Sequence, residues 1–298
     1  MRWYHHRFHT VSSHQLIFWA MPKLPRFLHP PLAAVTALVF SWMLKQERQA
    51  VTANLRQIGL SGLHLYWKVY RVFYSFCDLM VSYCFVPGAS HPQLLSMLVD
   101  GDAAAKTIED CLADGKGVIV WTAHLGNFEF AARLLELHNR PVNVARVVED
   151  SPAELFLRDK MASKQLRIVD LRAGARASLE LLQALRRNEI VAIQGDRVYH
   201  PRHSAPIRFF GRDALFPFGP FLLARVSGAP ILPGFVVRES WLRYRVLAGE
   251  PIHMDPFADD AVEQQKALAS AVQLLEQRLV VYYDQWLNFF SFWPVQDP

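Results

Sequence analysis

Short apolar runs alternate with helical stretches through the last two thirds of the chain, and no other feature restricts the fold as strongly. The runs fall at 118–122, 142–147, 168–170, 190–194 and 230–237. Between them, spacing predicts helices at 128–138, 152–164, 177–187 and 219–227. Apolar runs without polar alternation read as strands buried on both faces, and strands joined through helices run parallel. The pattern predicts an α/β fold with a mostly parallel central sheet covered by helices. Further segments extend it. Residues 92–98, 207–210 and 242–247 read as strands, 103–112 as a helix and 261–283 as a long amphipathic helix.

With 298 residues, 52% hydrophobic and 20% charged, the chain can build an ample core. That composition excludes a disordered or polytopic membrane protein. Cys77, Cys84 and Cys111 are few, scattered and without CxxC spacing, which argues against a disulfide framework or a thiolate zinc site. The net charge of +5 is unevenly placed. Residues 1–70 hold eight basic side chains and one acid, Glu47. So basic a segment wants an anionic partner, and the apolar residues between its charges favour lipid over nucleic acid. The apolar helix expected at 32–44 is shorter than the ~20 residues of a comfortable span. It is flanked by Arg26 and Lys45, as an interfacial helix would be. Residues 15–90 are therefore expected to form a helical membrane-associating region, equally readable as helices docked on the core. Residues 1–14, with four histidines, read as a flexible tail, and 91–298 as the catalytic domain.

Four places could carry chemistry, each at or just beyond the end of a strand, where ligands bind in open α/β sheets. The first is His124-Leu-Gly-Asn-Phe-Glu129. Of twelve histidines, only His124 has an acid five residues on. A strand-end His oriented by Glu129 suits a general base. Gly126 and Asn127 then lie at a helix start, where N–H groups favour negative charge. Arg146, ending the run at 142–147, offers a cation for phosphate or an oxyanion. Asp196-Arg197 follows the run at 190–194 and could position a polar substrate. Arg208-Phe209-Phe210-Gly211-Arg212, with Phe216-Pro217-Phe218-Gly219-Pro220, suits an amphiphile with a greasy chain and an anionic head. For each the bland alternative is a capping histidine, surface arginine, solvated turn or hairpin. The chain has no G-x-S-x-G elbow, Walker A loop, G-x-G-x-x-G or H-E-x-x-H.

Taken in order, these motifs resemble the lysophospholipid acyltransferase superfamily, in particular the branch of bacterial lipid A (lauroyl/myristoyl) acyltransferases. The H-x4-E of His124–Glu129 with its Gly-Asn, the arginine at 146, the apolar strand ending in Asp196, and Phe209-Phe210-Gly211 through Gly228-Ala-Pro230 all fit. So do Asn54-Leu55-Arg56 and the C-terminal Gln285-Trp286 to Trp293. The likeness covers about residues 24–293. Gly195-Asp196-Arg197 and the short N-terminal apolar helix depart from that branch and bear on the acceptor.

The resemblance implies an enzyme that moves a fatty acyl group from an acyl thioester to a hydroxyl of a lipid or glycolipid. The donor would be acyl carrier protein or coenzyme A, with no cofactor or metal. His124 and Glu129 would be catalytic. Arg146, Asp196, Arg197, Gly126, Asn127 and Arg208 would bind substrate. The implied place is the cytoplasmic face of a bacterial inner membrane. Two alternatives stand beside it: a thioesterase or lipid hydrolase using the same pair, and a non-catalytic membrane-bound biosynthetic partner.

Overall fold

The computed structural model describes residues 10–100, 102–148, 151–255 and 260–293. Four helices come first: α1 (Val11–Ala20), α2 (His29–Met43), α3 (Lys45–Gln57) and α4 (Leu65–Ser82). The α/β part then runs α5 (His91–Ser96), β1 (Leu98–Asp100), α6 (Asp102–Ala113), β2 (Val118–Thr122), α7 (Phe128–Leu135), β3 (Val142–Arg146), α8 (Pro152–Met161), β4 (Leu166–Asp170), α9 (Ala175–Arg186) and β5 (Ile190–Gln194). It closes with β6 (Ser204–Phe209), β7 (Arg212–Pro217), α10 (Gly219–Ser227), β8 (Ile231–Ser240), β9 (Arg243–Ala248) and α11 (Asp260–Tyr282).

Seven strands form the central sheet in the order β1-β9-β8-β2-β5-β3-β4. Five of them, from β8 to β4, run parallel, as their helical crossovers require. At the other edge β9 returns antiparallel to β8, and β1 pairs parallel with β9. The expected mostly parallel α/β sheet is present.

One face of the sheet is sealed. Ile119, Trp121, Val191, Ile193 and Phe235 pack there against α9, α10 and α11. Trp121 is fully buried with its ring edge-on to Phe235, and aromatic burial of this kind is a large part of what holds such a core together. The other face carries Val120, Val144, Ala192 and Leu232, meets α6 and α7, and opens into a cavity described below.

Three sequence expectations change. The segment expected as a strand at 92–98 is a helix over its first turns. Ser90 and Gln93 close a capping box around Pro92, a strong helix start, and only Leu98–Asp100 is extended. The strand expected at 207–210 is half of an antiparallel hairpin, β6–β7, whose Phe209 and Phe216 reach the core. The tail expected over 1–14 overlaps α1 from Val11. Residues 1–9 lie outside the described residues.

The N-terminal helices pack on the α/β part through polar as well as apolar contacts. Arg238 of β8 pairs with Asp78 of α4 at 2.9 Å, and Arg71 pairs with Asp284 at 2.7 Å. Among the described residues no single helix is long and apolar enough to cross a membrane. Arg26–Met43 and Lys45–Gln57 reach that length only as a pair bent by 96°.

Candidate active site

Register builds the centre of the site. Strands β2 and β5 are neighbours, with Thr122 opposite Gln194. His124 and Asp196 each lie two residues beyond that pair, after the small residues Ala123 and Gly195. They therefore stand at the same height on strands about 4.8 Å apart. His124 Nδ1–H donates to Asp196 Oδ1 at 2.7 Å, since an ionised carboxylate can only accept. The other ring nitrogen is left for the cavity that His124 lines.

Asp196 is wholly buried, with three side-chain donors around it. Besides His124, Trp286 Nε1 and Asn288 Nδ2 each lie 3.3 Å from Oδ2. Burial alone would raise its pKa. The charge of His124, their hydrogen bond and Arg197 outweigh burial and hold the carboxyl well below the usual carboxylate range. The His124 imidazole moves down to about 4. Burial is the largest cause and the positive charge of Arg197 the next, and together they exceed the upward pull of Asp196. His124 is therefore neutral near pH 7, the form a general base requires.

This corrects one sequence expectation. The orienting carboxylate of His124 is Asp196, and Glu129 has a different partner. Glu129 opens α7 and pairs with Arg146 at 3.8 Å. Arg146, at the end of β3, is shared with Glu154 of α8, a residue the sequence reading passed over. Burial and the charge of Glu154 raise the Glu129 pKa against the pull of Arg146. Asp196, expected to hold substrate, has its oxygens occupied by protein donors.

Gly126 and Asn127 are also corrected. Their backbone N–H groups are not free for an anion. Gly126 N donates to Gln285 O at 2.9 Å, and Asn127 N to Val236 O at 2.7 Å. The Asn127 side chain caps α7 by accepting from Phe130 N and donates to Ser82 Oγ. Both residues build the loop that carries His124. Arg197 lines the cavity but also holds the C-terminal segment, donating to Leu287 O at 2.8 Å and Asn288 Oδ1 at 3.0 Å. Arg208 is not brought to the site. It projects outward from β6, outside the cavity lining, and meets Asp213 at 3.4 Å.

The C-terminal segment is the part sequence reasoning left without a role. Leu287 N donates to His124 O, and Gln285 exchanges two hydrogen bonds with the backbone of Arg238. Asn54 of α3 clamps the segment from outside, donating to Asn288 O and Phe290 O and accepting from Phe292 N. The Asn54 and Gln285-Trp286 elements, at opposite ends of the chain, thus meet behind the His124–Asp196 pair.

In front of the pair lies a cavity of about 1900 Å³. His124, Glu129, Arg146 and Arg197 line it, and the open face of the sheet is its floor. A neutral, oriented imidazole beside two arginines, at the edge of a large mostly apolar cavity, fits proton abstraction from a hydroxyl next to a long-chain substrate.

Two curated relatives, each a phosphatidylinositol mannoside acyltransferase from a strain of Mycobacterium tuberculosis, are 29% identical to the chain over 151 residues. That stretch is 50% of this chain and 47% of either relative, so the chain matches about half the length of those proteins. Residues 97–293, from the end of α5 to the last described residue, match the family described as bacterial lipid A biosynthesis acyltransferase. The match contains the His124–Asp196 pair, Arg146, the cavity floor and the C-terminal clamp, and the chain belongs to that family.

Proposed function

We propose that this protein is a membrane-associated O-acyltransferase that moves a fatty acyl group from a thioester to a sugar hydroxyl of an anionic glycolipid. The observation that carries the reading is the neutral His124, held through Nδ1 by buried Asp196 and facing a cavity large enough for long-chain substrates. Lipid A in the family description and a phosphatidylinositol mannoside in the relatives' name both point to an acceptor of this class. The donor is acyl carrier protein or coenzyme A.

In the reaction, His124 Nε2 takes the proton of the acceptor hydroxyl as its oxygen attacks the thioester carbonyl carbon. The imidazolium formed is stabilised by Asp196. Arg146 and Arg197, whose charges both act on His124, are the cations placed to stabilise the tetrahedral oxyanion. Collapse breaks the carbon–sulfur bond, and His124 returns the proton to the leaving thiolate. The products are an ester and a free thiol. Glu129 and Glu154 fix the Arg146 guanidinium from two sides.

The test is transfer of radiolabelled acyl groups to glycolipid by the purified protein and by His124→Ala. The wild type is expected to form ester only when acceptor is present, and the variant to lose at least about 100-fold. Free fatty acid at an acceptor-independent rate would point instead to a thioesterase. Unchanged transfer by a folded His124→Ala would remove the base.

Support for membrane association comes from α2. Its Ala33 and Ala37 are buried on one side, while Leu28, Leu32, Val35, Val39 and Trp42 follow one exposed stripe, Trp42 at 77% exposure. Phe27 is 74% exposed, and Lys23, Arg26 and Lys45 flank the stripe. A contiguous apolar face with a basic rim fits an anionic lipid surface. Val35→Glu with Trp42→Glu is expected to abolish co-flotation with phosphatidylglycerol vesicles while leaving the far-ultraviolet dichroism unchanged. Full co-flotation of the double variant would rule this face out.

A further inference from the structure

The cavity has two unlike arms. His124 stands over β2, the middle strand of the sheet, and the cavity extends to both sides of it. Toward β8, β9 and β1 the lining combines an apolar set, Leu95, Leu98, Ile108, Leu134, Leu135 and Val246, with polar groups, of which His91, Asp100, Lys106 and Glu109 are solvent-exposed and His138 is half-buried. Toward β3 and β4 it is punctuated by Arg146, Glu154, Arg158 and Arg172. The volume of about 1900 Å³ is well above the ~300–1,000 Å³ of an ordinary small-molecule site, as two ligand portions side by side require.

Strand β8 crosses the floor of the apolar arm, next to β2. Trp121 lies opposite Pro233, so Gly234 lies beside Thr122, two residues before His124. Glycine inside a buried strand costs stability and calls for a reason: a bulge, a left-handed φ, a close backbone contact or an approaching ligand. Gly234 pairs regularly with Ala248, and the register shift in this strand pair lies further on, between Arg238 and Ser240. Its φ is not positive. A Cβ added there would meet nothing nearer than Leu247 O at 3.9 Å. The contrast with its neighbours is plain. A Cβ at Gly126 would come within 2.0 Å of Val236 O, and one at Gly195 within 1.9 Å of Trp121 Nε1. Those two glycines are demanded by packing. Gly234 keeps open only the cavity it lines.

We propose that Gly234 is the throat of the acyl arm: the donor's fatty chain passes from His124 over Gly234 into the apolar arm between β8–β9–β1 and α5–α7, and the acceptor head occupies the polar arm beside β3 and β4. This rests on the acyltransferase reading. Chain-length preference is then set at residue 234, where a larger side chain narrows the path beside the reacting carbonyl.

The experiment compares hexadecanoyl and butanoyl thioesters, of coenzyme A and of acyl carrier protein, with wild type, Gly234→Ala and Gly234→Leu. Gly234→Leu is expected to lower kcat/KM for the hexadecanoyl donor at least about 100-fold and for the butanoyl donor no more than about threefold, with Gly234→Ala between. Equal losses with both donors, or no loss with either in folded protein, overturn the proposal. If Gly234→Leu does not fold, the smaller Gly234→Ala change must still separate the two donors. Ile168→Trp, in the polar arm, is expected to raise the acceptor KM and leave the ratio between donors unchanged. Collapse of that ratio in Ile168→Trp would mean the arms are reversed and overturn the assignment. A wild type that transfers neither chain would bring down the acyltransferase reading itself, an outcome distinct from lost discrimination in the variants.

Discussion

Asp196→Asn is expected to lower kcat/KM by about 10³-fold with little change in the unfolding midpoint. The reason is geometric. Oδ2 of Asp196 faces two donors, Trp286 Nε1 and Asn288 Nδ2. The Asn288 amide cannot turn over freely, because its Oδ1 accepts from Arg197 Nε. An asparagine at 196 will therefore keep its oxygen toward Trp286 and Asn288 and point its NH2 group at His124 Nδ1. That nitrogen must then accept, and the imidazole proton moves to Nε2. A ring with Nε2–H has no lone pair facing the cavity and cannot take a proton from the acceptor. The imidazolium also loses the carboxylate that stabilises its charge. Glu129→Gln serves as the comparison. It leaves the tautomer alone and weakens only one of the two carboxylate contacts on Arg146, so its loss should be smaller. If Glu129→Gln fell as far as Asp196→Asn, Glu129 would be restored as the orienting group. Asp196→Asn within about tenfold of wild type would remove the pair from the mechanism.

The same electrostatics fixes the sign of the pH dependence. The folded-state pKa of His124 lies below the ordinary ~6.5, at about 4, so the base form is complete well below neutrality. The acid limb of kcat/KM in the wild type should therefore fall below pH 6, on the side of about 4. A half-maximal point at 6.5 or above would show that Asp196, rather than burial and Arg197, dominates His124.

His124 and Asp196 were each visible in the sequence as a polar residue one small residue past an apolar run of five. What the sequence could not give was that those two runs are neighbours. Pairing of β2 with β5 is a long-range choice, with β3 and β4 between them in the chain. A nearby acid five residues on was the more local signal, and it pointed to Glu129. Helix α7 turns Glu129 toward Arg146, because β3 and α8 approach from that side. The sheet order was equally hidden, although most of its strands were not. Runs buried on both faces identify themselves, whereas β1 and β7, short or half-exposed, carry little pattern. Asn54 and Gln285-Trp286 were legible as motifs but mute about purpose. The hydrogen bonds of Asn54 join residues more than two hundred positions apart, and those of Gln285 and Trp286 reach back 47 and 90 positions. Gly234 carried no signal, since a glycine in an apolar run becomes informative only once the space above it is known.

Gly126→Ala is expected to cost on the order of 3 kcal/mol of stability and most of the activity. Two independent effects add. Gly126 has φ near +71°, a conformation that disfavours any Cβ by roughly 1–2 kcal/mol. Its Cβ would also fall 2.0 Å from Val236 O and 2.9 Å from Val236 C, both backbone atoms of a central strand. Neither can swing aside as a flexible side chain would. Retreat in the other direction is blocked too, because Gly126 N is bonded to Gln285 O and Leu287 N to His124 O. The His124 loop is thus wedged between β8 and the C-terminal segment, and a shift at 126 moves the imidazole two residues away. Out-of-line displacement of a base by about 1 Å lowers turnover by about 10²-fold. Gly88→Ala is the control, since its φ is ordinary and an added Cβ there has nothing within 4 Å. It should stay within about 0.5 kcal/mol of wild type. Denaturant unfolding together with kcat/KM checks both variants. Wild-type stability in Gly126→Ala would mean that the loop has slack, and that the position of His124 is not enforced by the strand behind it.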